Sequence, residues 1–287
     1  MAAAGPGTLY LVSTPIGNLG DLSPRAVEML RAVALVLAED TRHARVLLAH
    51  ADVRTKTAAY HEHNEAAATP NIVARLRAGE SVALVSDAGT PLLSDPGARL
   101  VRAAIDAAVP VVAVPGASAL LAALVVSGLD ATRFTFFGFL ERKGRARTEA
   151  LEALAHLPHT AVLYEAAPRV ADTLEALAAR GGGDRAAAVA RELTKKFEEV
   201  RRGTVSELAR YYGETPPRGE VVLVIAGAAP VDGAGSEHEM RARVASLRAN
   251  GARAGEIVSA LSAEFGIARN AAYRLAAGSE RAPEGDE

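Results

Sequence analysis

Short runs of aliphatic and β-branched residues alternate with segments of helical period along most of the chain. Thr8–Ser13 reads as a buried strand, and the turn-rich Thr14–Leu22 follows it. Ser23-Pro24 places an N-cap before a proline at the first helical position and opens a helix to about Arg31. Val33–Ala38 is a second apolar run, stopped abruptly by Glu39-Asp40. Thr41–Ala51 has helical spacing, with Val46, Leu47 and Ala51 expected on one side. Thr69-Pro70 repeats the cap signature and predicts a helix from there to Gly79, and Ser81–Ser86 and Pro110–Val114 are further strands. Strands that alternate with helices predict a mostly parallel sheet with crossover helices.

Beyond Val114 the pattern continues in a different key. Ala117–Gly128 is an apolar helix, Arg133–Phe139 carries four phenylalanines, and Arg142-Lys143-Gly144-Arg145 is a basic turn. Strands are expected at Thr160–Glu165, Ala186–Arg191 and Glu220–Ala226, separated by helices at Arg169–Arg180 and Ser206–Tyr212. Ala228–Ser236 has linker composition. Helical stretches follow at Glu239–Ala249, Ala254–Phe265 and Ala268–Ala277, the last after a break at Gly266. The expectation is two α/β domains, residues 1–116 and 117–228, with a linker and a small helix-turn-helix-like tail over 229–287.

Composition narrows the function. The chain has 287 residues, of which 49% are hydrophobic, so it can bury a real core. Aromatics make up 4% and tryptophan is absent, which argues against broad base-stacking platforms. The formal net charge is −2, so any grip on nucleic acid must be local. With no cysteine there are no disulfides, thiolate metal sites or cysteine nucleophiles. Met1–Gly7 lacks a basic stretch followed by an apolar run, and no apolar segment is long enough to span a bilayer. A cytoplasmic location away from membranes is expected.

The candidate chemistry lies in loops that follow strands, where open α/β sheets bind their ligands. Thr14-Pro15-Ile16-Gly17-Asn18, Ser86-Asp87-Ala88-Gly89-Thr90-Pro91 and Val114-Pro115-Gly116-Ala117-Ser118 are three such loops, rich in small residues that let a ligand approach the backbone. The first is neither a dinucleotide nor a P-loop signature. Asp95 reads as the N-cap of a helix beginning near Pro96, whereas Asp87 has no such explanation. Glu39-Asp40-Thr41-Arg42-His43 ends another strand. His61-Glu62-His63-Asn64 lacks a third ligand at metal spacing, so no metal is expected there. Arg191-Glu192-Leu193-Thr194-Lys195-Lys196 is a charge run of the kind that usually faces solvent.

Taken in order, Thr14–Gly17, Glu39–His43, His61–Glu65, Ser86–Pro91, Asp95–Gly97, Arg191–Lys195 and Gly219–Val222 resemble the tetrapyrrole-methylase-like (class III) methyltransferases. The likeness covers about Gly7–Gly227. It is nearest to the branch of that family that methylates a cytidine 2′-hydroxyl of 16S rRNA, whose members also carry a helical C-terminal extension. Tetrapyrrole members usually have G-x-G-x-G/P in the first loop and Gly-Asp-Pro in the second. Here Pro15-Ile16-Gly17-Asn18 and Ser86–Pro91 stand in their place, which favours the rRNA branch.

The resemblance implies two α/β domains, a homodimer, and S-adenosylmethionine in the cleft between the domains. By position, Pro15, Asp87, Ala88, Gly89, Leu92, Pro115, Ser118 and Ala119 would line the donor site from the first domain and its boundary, and Tyr164, Glu220, Val221 and Val222 from the second. Transfer to a ribose hydroxyl needs a proton acceptor. Glu39, Asp40 and His43 are candidates, with His61 and Glu192 also open. Arg42, His61, Arg142, Lys143, Arg145, Lys195 and Lys196 are candidate RNA contacts. The expected partner is the small ribosomal subunit. A tetrapyrrole methylase and a non-catalytic ribosome-assembly factor are the alternatives.

Overall fold

A computed structural model of the chain describes residues 6–229, 237–265, 267 and 269–277. The chain forms two compact units, Met1–Gly227 and Ala228–Glu287.

The first unit contains two five-stranded sheets. Strands β1 (Leu9–Val12), β2 (Leu35–Ala38), β3 (Thr57–Ala59), β4 (Val82–Val85) and β5 (Val111–Val114) lie in the order β3-β2-β4-β1-β5, and every pairing is parallel. Parallel strands buried on both faces need apolar side chains on both, and β2 and β4 are buried at all four positions. One face packs Val12, Val36, Ala83 and Val85 against α1 (Pro24–Ala32) and α2 (Thr41–His50). The other packs Leu9, Leu37 and Leu84 against α3 (Glu65–Arg77) and α4 (Ala98–Asp106).

The second sheet runs β6-β7-β10-β8-β9, built from Phe134–Phe139, Thr160–Ala166, Glu220–Ile225, Ala186–Arg191 and Glu199–Thr204 respectively. It is mixed: β6 and β7 are parallel and the other neighbours antiparallel. Leu163, Val189 and Leu223 face α6 (Arg145–Ala155), α7 (Val170–Leu177) and α8 (Val205–Glu214). Val162, Ala188 and Val222 face α5 (Ala119–Ser127) on the opposite side. Ile16, from the first loop, joins that second cluster and so ties the first sheet's carboxyl end to the second sheet.

Several expectations change. The helix assigned to start at Thr69-Pro70 begins at Glu65, and Pro70 lies inside it. A proline this near the N-terminus forfeits one backbone bond, while the Thr69 hydroxyl donates to the Glu65 carbonyl at 2.6 Å. Val46 is exposed, and α2 instead buries Ala44, Leu47 and Leu48. Asp95 is not a helix cap; Gly97 holds that position with φ +136°. Strands β3, β6 and β9 and helix α6 were not expected.

The described residues of the second unit form a three-helix module of α9 (Glu237–Ala249), α10 (Ala254–Phe265) and α11 (Arg269–Ala277). Val244, Ile257, Val258, Leu261, Ala272 and Ala276 form its core. Arg243 pairs with Glu264 at 2.6 Å, and the Arg248 guanidinium donates to the Ala276 carbonyl. Most of the linker read from the sequence, residues 230–236, lies outside the described residues.

Candidate active site

The loops after β1, β4 and β5 are stitched into one surface. Thr14 and Gly89 exchange backbone hydrogen bonds at 2.8 and 3.1 Å. The Thr14 hydroxyl donates to the Ser86 carbonyl, Ser86 Oγ donates to the Gly89 carbonyl, and Thr90 Oγ1 donates to the Ala117 carbonyl. Gly116 passes so close to Ser13 that a Cβ there would lie 2.9 Å from the serine Cβ. Glycine is needed at that approach, not for an unusual φ. Small residues thus let three loops converge where larger ones would hold them apart.

This surface faces the second sheet across a cavity of about 320 Å³, within the size range of small-molecule sites. Ile16, Asp87, Ala88, Gly89, Thr90 and Leu93–Asp95 form one wall; Phe139, Tyr164–Ala166, Leu193 and Gly219–Val222 form the other. Ala119 of α5 and Ala190 of β8 complete the lining. A bulge in β6, with Gly138 at φ +62°, brings Phe139 beside Tyr164. Phe136 and Phe139 hold the tyrosine ring with centroids 4.9 and 5.4 Å away. Leu92, Ser94, Glu192 and Thr194 all have left-handed φ values, and they cluster in the two loops that face each other here. Such backbone strain concentrates where a ligand site dictates the conformation.

Acidic groups dominate the polar lining. Asp87 accepts from the Asp40 backbone N–H at 3.1 Å and lies 3.2 Å from His43 Nδ1. Glu192 Oε1 accepts from the Glu220 N–H and from Lys195 Nζ, and Lys195 also reaches Glu220 Oε2 at 2.9 Å. Lys195 holds the Glu192 carboxyl below its usual range. Burial pulls the Lys195 ammonium down, but hydrogen bonds to Glu192 and Glu220 together outweigh it and leave it raised. The Lys195 stem lies over Gly17, where any Cβ would collide with it. Asp95 is pushed up to about 6, first by burial and then by the charges of Glu39 and Asp87. Burial also raises the Tyr164 phenol, and the Asp95 charge adds to it.

Of the residues expected at the donor site, Asp87, Ala88, Gly89, Ala119, Tyr164, Glu220, Val221 and Val222 line the cavity. The other four are not part of its lining. Pro15 is buried next to Ile16, Leu92 packs into the first unit's core, Pro115 is exposed, and Ser118 caps α5. Asp40 caps α2 and is bound to Arg42 at 2.6 Å, which holds its carboxyl far below the usual range. Glu39 is exposed but close enough to act on Asp95. His61 has a buried Nδ1 without a partner among the described residues. Arg145 pairs with Glu149, Lys196 lies over the Phe197 ring, and Arg142 and Lys143 are exposed. Leu93, Ser94, Phe139 and Glu165 line the cavity without having been singled out, and Asp95, read from the sequence as a helix cap, joins them. The left-handed turns and the bulge that aim them leave no mark in residue spacing.

The family model described as Tetrapyrrole (Corrin/Porphyrin) Methylases matches residues 8–209. The chain belongs to this methylase family. Among curated relatives, Ribosomal RNA small subunit methyltransferase I of Synechocystis sp. is 47% identical over 270 residues, covering 94% of this chain and 97% of that protein. The protein of the same name from Xylella fastidiosa is 54% identical over 231 residues, 80% of this chain and 85% of its own. Among solved structures, uroporphyrin-III-C-methyltransferase from Thermus thermophilus superposes with a TM-score of 0.53 at 25% identity, over 77% of this chain and 94% of that one. The 270 residues shared with the Synechocystis protein exceed the length of the first unit, so that likeness extends into the tail helices.

Proposed function

We propose that this methylase transfers the methyl group of S-adenosylmethionine to a cytidine 2′-hydroxyl of 16S rRNA in the decoding region of the small ribosomal subunit, acting as a homodimer in the cytoplasm. The observation that carries the reading is the likeness to small-subunit rRNA methyltransferases over 94% of the chain, tail included. The cavity suits the donor. Its apolar walls accept an adenosyl group, small residues open the backbone to its polar atoms, and Asp87 and Glu220 favour a cationic sulfonium over a neutral thioether. The donor arrives already activated, so the protein has to position it, exclude water and accept a proton.

Roles follow from placement. Asp87, Ala88, Gly89, Ala119, Tyr164 and Glu220–Val222 contact the donor; Pro15, Leu92, Pro115 and Ser118 shape the loops that do so. Asp40 fixes the start of α2, since a carboxylate held so low is a poor proton acceptor. Lys195, committed to two carboxylates, closes the cavity rim and is not an open phosphate site. Arg142, Lys143, Lys196 and His61 remain suited to RNA. The likeness to a uroporphyrin methyltransferase favours a tetrapyrrole acceptor only at the level of fold, which does not fix function.

Calorimetry with S-adenosylmethionine should give one site per chain, weakened at least tenfold by Asp87→Ala. Labelled donor should then methylate small subunits prepared from a strain lacking this gene, with the modified ribose located by mass spectrometry. Label entering a porphyrin and not the subunit, or donor binding without any methyl transfer, would overturn the proposal.

A further inference from the structure

Four carboxylates line the cavity: Asp87, Asp95, Glu165 and Glu220. Three are committed. Asp87 is held by the Asp40 N–H and His43. Glu165 is fully buried and accepts from the Thr173 hydroxyl at 2.6 Å, from the Ala166 N–H, and from Arg169. Glu220 is paired with Lys195. The Asp95 carboxylate makes no hydrogen bond or ion pair with any described residue, although it is largely removed from solvent.

Its position is built rather than incidental. Leu92 and Ser94 adopt φ +75° and +69°, and Gly97 adopts +136° where a Cβ would lie 2.6 Å from Leu84 Cδ2. This sequence of left-handed turns presents Leu93, Ser94 and Asp95 to the cavity in place of starting the helix at Asp95.

We propose that Asp95 is the general base that takes the proton of the attacking ribose hydroxyl. The inference rests on the methyl-transfer reading given above. The ribose oxygen attacks the methyl carbon of the donor. A C–O bond forms as the C–S bond breaks, the bonding pair stays on sulfur, and the hydroxyl proton passes to the Asp95 carboxylate and then to water. The other groups facing Asp95 prepare it. Glu39 and Asp87 stand on its own side, with His43 behind Asp87. Tyr164 faces it from the second sheet. Lys195 has its charge engaged by Glu192 and Glu220 at the rim. Burial and the two acidic neighbours leave Asp95 at about 6, more basic than an ordinary carboxylate and still ionised at neutral pH. That is the range in which a general base works well.

The experiment uses the full chain with small subunits lacking the methyl group. The single-turnover methylation rate of the native chain should fall about tenfold per pH unit below about 6. Asp95→Asn should lower the rate at pH 7.5 by about 10²–10⁴ and abolish that acid limb. Its affinity for S-adenosylmethionine by calorimetry should stay within about threefold, which also reports that the variant is folded. An Asn variant with near-native rate, a native profile without an acid limb, or a loss of donor affinity large enough to account for the lost rate would each overturn the assignment. If the native chain transfers no methyl group to the particle, it is the reaction itself that fails.

Discussion

Asp95 ionises at about 6 in the folded protein against 3.8 for the free side chain, so at neutral pH the fold carries an ill-solvated charge that the unfolded chain does not. The folded pKa is the higher one. The folded state therefore binds the proton more tightly, and this contribution is fully present below about 3.8 and lost as pH rises through about 6. Asp95→Asn should raise unfolding stability at pH 7.5 by about 1–2 kcal/mol, allowing for partial solvation, and the gain should vanish near pH 4. Denaturant unfolding at the two pH values checks this; an Asn variant less stable than the native chain at pH 7.5 would show that the carboxylate has a stabilising partner. A change that stabilises the fold while removing activity is what a functional residue under strain should produce. The same residue shows where reading the sequence ends. Ser94-Asp95-Pro96-Gly97 before an apolar helical stretch has every local mark of a cap, and only the backbone at Leu92, Ser94 and Gly97 redirects it. Asp87 was legible because no local hydrogen-bonding role explained it.

Continuous aliphatic runs made β1, β2, β4 and β5 of the first sheet and β7, β8 and β10 of the second legible, whereas short or weakly apolar elements such as β3 were not. Strand β9 carries Arg201 and Arg202 and is tolerated because it is an edge strand. Helix α6 begins Arg145-Ala146-Arg147, which merges with the preceding basic turn. Helix α5 is the opposite case: it is apolar nearly all round, and one face has no cover among the described residues of the first unit. Leu120, Ala123 and Leu124 pack on the second sheet, while Leu121 and Val125 are 50% and 73% exposed. The elements on either side of it in sequence are edge strands, β5 and β6, and β6 leaves Phe134 and Phe139 open. A second copy seated on this face would cover these side chains. Light scattering at micromolar concentration should give twice the 29.7 kDa chain mass. Val125→Glu, at a position that needs no burial within the chain, should return the monomer mass with donor-independent folding intact. A native chain that runs as a monomer would sink the idea.

Under the proposed function, the whole molecule recognises a large anionic particle with a formal net charge of −2. Phosphate contacts set nucleic-acid affinity through the number of charges neutralised, and much of the basic complement is already paired. Arg42, Arg145 and Lys195 are held by Asp40, Glu149 and the pair Glu192 and Glu220. Binding to naked RNA should therefore be weak and sensitive to salt, and selectivity should come from a shaped surface. The tail is the part of the chain suited to provide one. It has a hydrophobic core of its own, and α11 exposes Arg269, Asn270, Tyr273 and Arg274 along one side, at spacings of one and four residues. Two arginines, an amide and an aromatic ring on one helix face form a surface that can meet phosphates and unstacked bases. Every residue lining the donor cavity belongs to the first unit. Truncation after Ala229 should accordingly preserve S-adenosylmethionine affinity and lower methylation of assembled small subunits by at least tenfold. Arg269→Glu together with Arg274→Glu in the full chain should reproduce most of that loss, and should also lessen the dependence of particle binding on salt. Equal activity of the intact enzyme on protein-free rRNA, or full activity of the truncated enzyme on the particle, would place recognition in the first unit instead.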